Sequence, residues 1–377
     1  MKIDFPVNTF EISLDDIDSV SQVLKQGLIS GDTSVVRDFE NKFAAYLGVE
    51  NAIAVSSGSS ALEIAFNISN IKPGDEVILP SFTIASCLFP ILRLGAIPIF
   101  VDCNIDTWQM NVSEVIEKIN NKTKAILAPH IYGLAIDMND LIQVCSNKKI
   151  LLIEDCAEAL GLKFNGQYCG TYGDIAVYSF YANKLVTTGE GGMIVVKDSK
   201  CAERAKRIRN LSFNSGRRFI HNELGWNYRL SSIQSALGIS QMNRIDQNLE
   251  NRRLVALRYR ENLANLPGIK WQNLEANGSK NVFWVNGLIF EENYHGTAEE
   301  VSVKLHNIGI DTRPFFYPLH LQPLLSNYQF QQYELPTTEF IAKQGLYLPG
   351  GNNLSISSVD EICQRILDFF VYKKDRS

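Results

Sequence analysis

Cysteine is too scarce and too scattered here to carry structure. The seven residues (Cys87, Cys103, Cys145, Cys156, Cys169, Cys201 and Cys363) are odd in number and never spaced Cys-x-x-Cys. That argues against a disulfide framework and against a zinc site, and it suits a reducing cytoplasm. Basic charge is not in excess either: 36 Lys and Arg stand against 41 Asp and Glu, for a net charge of -5. With no basic cluster to neutralise a phosphate backbone, nucleic acid is not an expected partner. Uncharged apolar runs stay short of the roughly 18 residues that a membrane span requires. The start, MKIDFPVNTFEIS, has no apolar signal core, so the expectation is a protein neither exported nor embedded in a membrane. Internal repeats and low-complexity tracts are missing as well.

What is present is apolar content, 45% over 377 residues. That is enough for a large core and for two or three domains. Short β-branched runs recur between segments of helical period: AIAV (52 to 55), EVIL (76 to 79), PIFV (98 to 101), AILA (125 to 128), ILLIE (150 to 154), IAVYSF (175 to 180) and MIVV (193 to 196). This rhythm predicts an α/β fold, a mostly parallel sheet sandwiched by helices. Helices are expected at 59 to 69, 84 to 94, 112 to 119 and 138 to 147, with one long or two abutting helices over 229 to 264. After LPG (266 to 268) the pattern changes to WQNL, NVFWVNGLIF, a helix near 297 to 307, the Pro-rich RPFFYPLHLQPL and a closing helix at 357 to 371. Residues 1 to 250 read as a large domain and 251 to 377 as a smaller α+β domain.

Ligands of open α/β sheets gather beyond the carboxyl ends of the strands, so polar residues just after each apolar run come first. SSGSSALEIAF follows AIAV and enters a helix, as either an ordinary N-cap or a phosphate cradle. His130, after AILA, reads first as a packed, hydrogen-bonded histidine. Asp155, in EDCAEA, is a helix cap, or a carboxylate facing the crevice that holds a cationic nitrogen or a metal. Ser179 ends IAVYSF, and Lys184 follows in YANKLVTTGEGG. A lone lysine is usually a solvated charge. Among Tyr181, Val186 and apolar strands, however, its pKa falls and it becomes an imine-forming nucleophile. A phosphate cradle, a strand-end aspartate and a desolvated lysine are together what pyridoxal 5'-phosphate requires. The GEGG glycines read as a tight turn into MIVV.

The chain also resembles the DegT/DnrJ/EryC1/StrS sugar aminotransferases along nearly its whole length. The resemblance lies in FENKFAAYLGVENAIAVSSGSSALEIA, KPGDEVILPSFT, GAIPIFVD, EDCAEA, GTYGD, SFYANKLVTTGEGGM, GWNYRLSSIQSALG and TRPFFYP, collinear and in order. It implies a fold type I enzyme dependent on pyridoxal phosphate, with Lys184 bonded to the cofactor aldehyde and shuttling the proton. It also implies Asp155 on the pyridine nitrogen, Glu158 near the ring hydroxyl, and Ser59, Ser60 and Ser179 on the phosphate. Asn227, in GWNYR, would reach the neighbouring subunit's phosphate, which implies a homodimer with shared sites. Arg313, Tyr317 and His320 would approach a nucleotide sugar, with L-glutamate as amino donor. Ile84 stands where the family commonly has an aromatic residue stacked on the ring, and Ala157 would lie on the other face. DTWQM, HIYG, EDCAEA and RPFFYPLH point to the branch acting on a GDP-linked 4-keto-6-deoxy sugar. A related dehydratase branch carries histidine in place of the lysine, so Lys184 argues against it. An aminotransferase for UDP- or dTDP-linked sugars stays open, and a non-catalytic regulatory protein of the same fold is disfavoured by the retained Asp155, Ser179, Lys184 and Asn227.

Overall fold

The computed structural model describes residues 2 to 213, 216 to 217, 219 to 328 and 331 to 372, without the side chains of 371 and 372. Each apolar run of the first 200 residues is a strand: β1 (Ala52–Val55), β2 (Glu76–Pro80), β3 (Ile97–Val101), β4 (Thr123–Pro129), β5 (Leu151–Asp155), β6 (Ile175–Ser179) and β7 (Gly192–Val196). They form one seven-stranded sheet in the order β1-β7-β6-β5-β4-β2-β3. The pairs β3/β2, β2/β4, β4/β5 and β5/β6 are parallel. β7 alone runs against its neighbours, β1 and β6.

Successive residues of a strand face opposite ways, and here both faces are covered, which is why the runs are apolar throughout rather than alternating. Ala52 and Ala54 enter one core with Phe39 and Phe43 of α2 (Ser34–Leu47) and with Met138 and Leu141 of α4 (Met138–Lys148). Ile53 and Val55 enter the other, with Ile64 and Ala65 of α3 (Gly58–Ile68) and Ala202 and Ala205 of α5 (Ser199–Arg209). The edges of Phe43 against Tyr178 and Phe180 tie α2 to β6, at centroid separations of 4.9 and 5.6 Å. An N-terminal helix, α1 (Leu14–Lys25), has its own capping box and packs beside α6 (Ser232–Met242).

The 229 to 264 segment is two helices, α6 and α7 (Ile245–Asn262). The 84 to 94 segment is a short turn of helix at Ala85–Cys87 followed by Phe89–Arg93. Beyond α7, strands β8 (Ile269–Trp271), β9 (Asn286–Phe290), β10 (Arg313–Pro314) and β11 (Gly345–Leu348) form an antiparallel sheet in the order β8-β9-β11-β10. NVFWVNGLIF is therefore a strand only in its second half. Phe283 has a left-handed φ of 50°, which breaks the extended run just before the strand. The helices α8 (Ala298–His306), α9 (Pro336–Gln344) and α10 (Ile356–Leu367) complete this part, and α8, α10 and part of α7 share its core with β9 and β11. The chain start also joins it, since Phe5 bridges Ile310 and Asn8–Thr9 pairs with Gly350–Gly351.

A separate aromatic cluster joins the two sheets. Phe82, Trp108 and Tyr132 from the first half pack with Val285, Ile289 and Phe315 from the second. It lies beside the carboxyl end of the large sheet, where β2, β4, β5 and β6 all terminate. No helix among the described residues is long and apolar enough to cross a membrane.

Candidate active site

The ends of β1, β5 and β6 open onto a cavity of about 340 Å³. Ser57, Gly58, Ser59, Ile84, His130, Asp155, Ala157, Glu158, Ser179 and Lys184 line it, and Trp284, Phe316 and Tyr347 close it from the smaller sheet. A larger cleft of about 960 Å³ lies at the opposite ends of the strands, lined by Lys72, Lys124, Lys149, Lys197, Asp75 and Asp174. It lacks a strand-end carboxylate paired with a buried amine, so the chemistry belongs to the smaller cavity.

The phosphate cradle begins at the N-terminus of α3. Ser57 is its N-cap, and Ser57 and Ser60 form a capping box: the Ser60 N–H donates to Ser57 Oγ at 3.0 Å, and the Ser57 N–H to Ser60 Oγ at 2.8 Å. The Ser60 hydroxyl is thereby engaged in the cap, and the residue does not line the cavity. The Gly58 and Ser59 amides, outside the helical ladder and at the positive end of the dipole, are left to receive an anion. Glycine is required here for close approach. A Cβ on Gly58 would come within 3.0 Å of Ser179 Cβ, and one on Gly192 would lie 2.5 Å from the Ser57 carbonyl oxygen. The reason is topological: Gly192 opens β7 and pairs with both Val55 and Ser179. The second of the paired glycines in GEGG thus supports the cradle as well as the turn.

Asp155 ends β5, and its side chain is buried. One oxygen accepts the Ala157 N–H at 2.9 Å and the other the Cys87 thiol at 3.2 Å. Burial raises its pKa, opposed by those hydrogen bonds and by Lys184. Such a carboxylate would be relieved by a cationic nitrogen. Glu158 accepts the Tyr132 N–H at 2.9 Å, and burial pushes its carboxyl up to about 7. The Lys184 amine stands 3.8 Å from the centroid of the Trp284 ring. Burial lowers its pKa, Glu158 and Asp155 oppose that shift, and Arg252 adds to it. The amine is thus more readily deprotonated than a surface lysine.

Of the other expected residues, Ser179, Ile84 and Ala157 line the cavity, with Ile84 46% exposed in it. His130 is buried, its Nε2 3.1 Å from a Glu154 oxygen and its Nδ1 accepting the Ile136 N–H. Glu154 also accepts the Gly170, Tyr172 and Gly173 N–H groups. Although His130, Glu154 and Cys156 are close enough to hold a metal, the carboxylate is already committed. His130 is thus a packed, hydrogen-bonded histidine, as its sequence setting suggests.

Arg313 and Tyr317 are exposed, in the segment that places Phe316 at the cavity, but do not line it themselves. His320 also does not line it: its Nδ1 lies 2.7 Å from Ser81 Oγ and its Nε2 3.2 Å from Glu339. Asn227 is exposed and outside this chain's cavity. Sequence reasoning missed Ser57, Cys87, Trp284, Phe316 and Tyr347. Ser57 was readable as the N-cap of its helix, whereas nothing in NVFWVNG marks which aromatic residue turns toward a site at the ends of the larger sheet.

An anion cradle, a buried carboxylate and a lysine of lowered pKa around one cavity fit the phosphate, the ring nitrogen and the aldehyde of pyridoxal phosphate. The class is therefore the pyridoxal-phosphate-dependent aminotransferase of fold type I. More narrowly, the chain belongs to the DegT/DnrJ/EryC1/StrS aminotransferase family, whose model matches residues 11–367. It is 34% identical over 366 residues to the GDP-perosamine synthase of Vibrio cholerae, covering 97% of this chain and 99% of that one. It is 36% identical over 354 residues to the GDP-perosamine synthase of Escherichia coli O157:H7, at 93% and 94% coverage. Among solved structures, the aminotransferase TlmJ from Streptoalloteichus hindustanus superposes with a TM-score of 0.91 at 26% identity, over 99% of this chain and 100% of that one.

Proposed function

We propose that the protein transfers an amino group from L-glutamate to a 4-keto-6-deoxy nucleotide sugar, namely GDP-4-keto-6-deoxymannose, giving GDP-perosamine for a surface polysaccharide such as O-antigen. The observation that carries the reaction type is Lys184: a half-buried lysine with a lowered pKa, beside Asp155 and Glu158. The choice of sugar is supported by the near full-length similarity to two GDP-perosamine synthases.

Pyridoxal phosphate, when bound, supplies the aldehyde that accepts the amine and the ring that withdraws electrons. Gly58 and Ser59 at the start of α3, with Ser179, hold its phosphate. Asp155 holds the ring nitrogen, and its burial makes that charge pair strong. Glu158 would lie by the ring hydroxyl, and Ile84 and Ala157, which line the same cavity, would cover the ring, Ile84 by dispersion rather than stacking. Lys184 Nζ would be the base that takes a proton from the donor carbon and the acid that delivers one to the sugar carbon. Trp284, Phe316 and Tyr347 exclude water from that step. Arg313, Tyr317 and His320 belong to the segment nearest the mouth, where the nucleotide would lie.

The site is shared in a homodimer in the cytoplasm, with Asn227 reaching the partner's phosphate. Its exposure supports this, as does that of Leu224, 88% exposed on the same segment. A panel assay tests the substrate. The purified protein, glutamate and GDP-4-keto-6-deoxymannose should yield an amino sugar, while UDP- and dTDP-linked 4-keto sugars should not. Amination of only a UDP or dTDP sugar would overturn the substrate and leave the reaction type standing.

A further inference from the structure

Arg252, on α7, is a buried cation whose hydrogen bonds all go to neutral acceptors. It is 5% exposed. Its Nε donates to Asn352 Oδ1 at 2.7 Å, one terminal nitrogen to the Trp284 carbonyl at 3.1 Å, and the other to the Asn183 carbonyl at 3.2 Å. Asn352 in turn donates its Nδ2 to the Leu185 carbonyl at 3.0 Å. The two carbonyls that flank Lys184 in the chain are therefore held by one guanidinium and carboxamide pair, which also holds the backbone of the tryptophan lying under the lysine amine. We propose that Arg252 and Asn352 form a clamp that aims Lys184 and ties that aim to the seating of the smaller domain. They are positioning residues, since neither touches the reacting atoms.

A packing role alone would be better served by an apolar side chain, because burying a guanidinium among neutral partners strips its hydration without a countercharge to offset the loss. The charge has a use here. The groups facing the Lys184 amine are Asp155 at the end of β5, Glu158 in the turn after it, the Trp284 ring and Arg252; His130, Tyr181, Glu190 and Tyr347 line the same cavity. The two carboxylates favour the ammonium form. Burial and the unneutralised guanidinium favour the free amine, and the fork of fixed donors spans two carbonyls and a carboxamide as a lysine could not.

The clamp rests on the reading that Lys184 is the residue bonded to the cofactor, and the two are tested separately. In the cofactor-free protein, pulsed acetylation with acetic anhydride across pH, read by mass spectrometry of the Lys184 peptide, reports the amine's proton affinity without any turnover. Arg252→Met should raise that affinity and, because only the free amine reacts, slow acetylation at pH 7 about tenfold. Asn352→Asp, which places a carboxylate against the guanidinium, should move the titration the same way; it keeps the bond accepted from Arg252 Nε and gives up the one donated to the Leu185 carbonyl. Asn352→Ala should leave the titration in place and lower kcat more than it changes KM. A wild-type titration in both Arg252→Met and Asn352→Asp overturns the clamp. Where Arg252→Met does not fold, Asn352→Asp decides alone, with a raised value in support and an unchanged one against. The reading beneath it fails separately, if borohydride fixes the cofactor to the holoenzyme at some residue other than Lys184.

Discussion

The two walls of the cavity are built in different ways. The wall from the large sheet is made of residues just past strand ends: Ser57 to Ser59, Asp155 and Ser179, with Lys184 five residues on. Their convergence follows from the parallel order of β4, β5 and β6 and from β7 running back between β6 and β1. The opposite wall is Tyr347 of β11 with Trp284 and Phe316 from the segments beside β9 and β10, all three packed against the Tyr132 ring. On the proposed function, the first wall holds the groups that bond and transfer, and the second sets how dry and how well aimed they are. Topology fixes one, and packing between the two sheets fixes the other.

If that division is right, damage to the first wall should abolish chemistry while damage to the second should only weaken it. The largest effect is expected from Lys184→Ala, with kcat down by about 10⁴ in a steady-state assay with glutamate, the upper range for a lost acid and base. Gly192→Ala comes next. Its Cβ would lie 2.5 Å from the Ser57 carbonyl oxygen and 2.8 Å from the Gly58 nitrogen, so the cradle must open. Stability should fall by about 1–3 kcal/mol, and cofactor titration should show weaker binding, even though the substitution is remote from the reacting atoms. On the second wall, Trp284→Leu removes the ring beneath the Lys184 amine, a contact of about 1–2 kcal/mol. It should reduce kcat by roughly tenfold and leave cofactor binding close to wild type. A loss equal to that of Lys184→Ala would erase the distinction.

Glu158 bears on stability rather than on the rate. Burial raises its carboxyl to about 7 from 4.5, so between those values the folded cofactor-free protein holds a proton that the unfolded chain has released. Its contribution to stability is therefore greatest below pH 4.5 and declines as pH rises to 7. Glu158→Gln should abolish that decline, about 1–3 kcal/mol by denaturant titration at pH 4.5 and pH 8. A parallel pH dependence in both proteins would contradict it.

The same contrast explains what could be read from the sequence. The strands of the large sheet were legible because both faces are buried, so each run is apolar without interruption; Asp155 and Lys184 were legible because strand ends are where such sheets bind. Ser60 was expected on the phosphate, yet its hydroxyl is taken by the Ser57 cap, a distinction that turns on one position of the helix register. His320 was expected toward a nucleotide sugar, yet both ring nitrogens are engaged by Ser81 and Glu339, and neither partner is near it in sequence. Trp284 and Arg252 were illegible for a related reason. An aromatic residue in a bend or a basic residue in a helix carries no local sign of the distant groups it will meet.

The central claim, that Lys184 is the amine bonded to the cofactor, has a direct measurement. The holoenzyme is reduced with borohydride, digested, and its peptides weighed. The reduced cofactor mass should appear on the peptide containing Lys184 and nowhere else, and should vanish in Lys184→Ala. Its appearance on another lysine, or its persistence in that variant, would contradict the account.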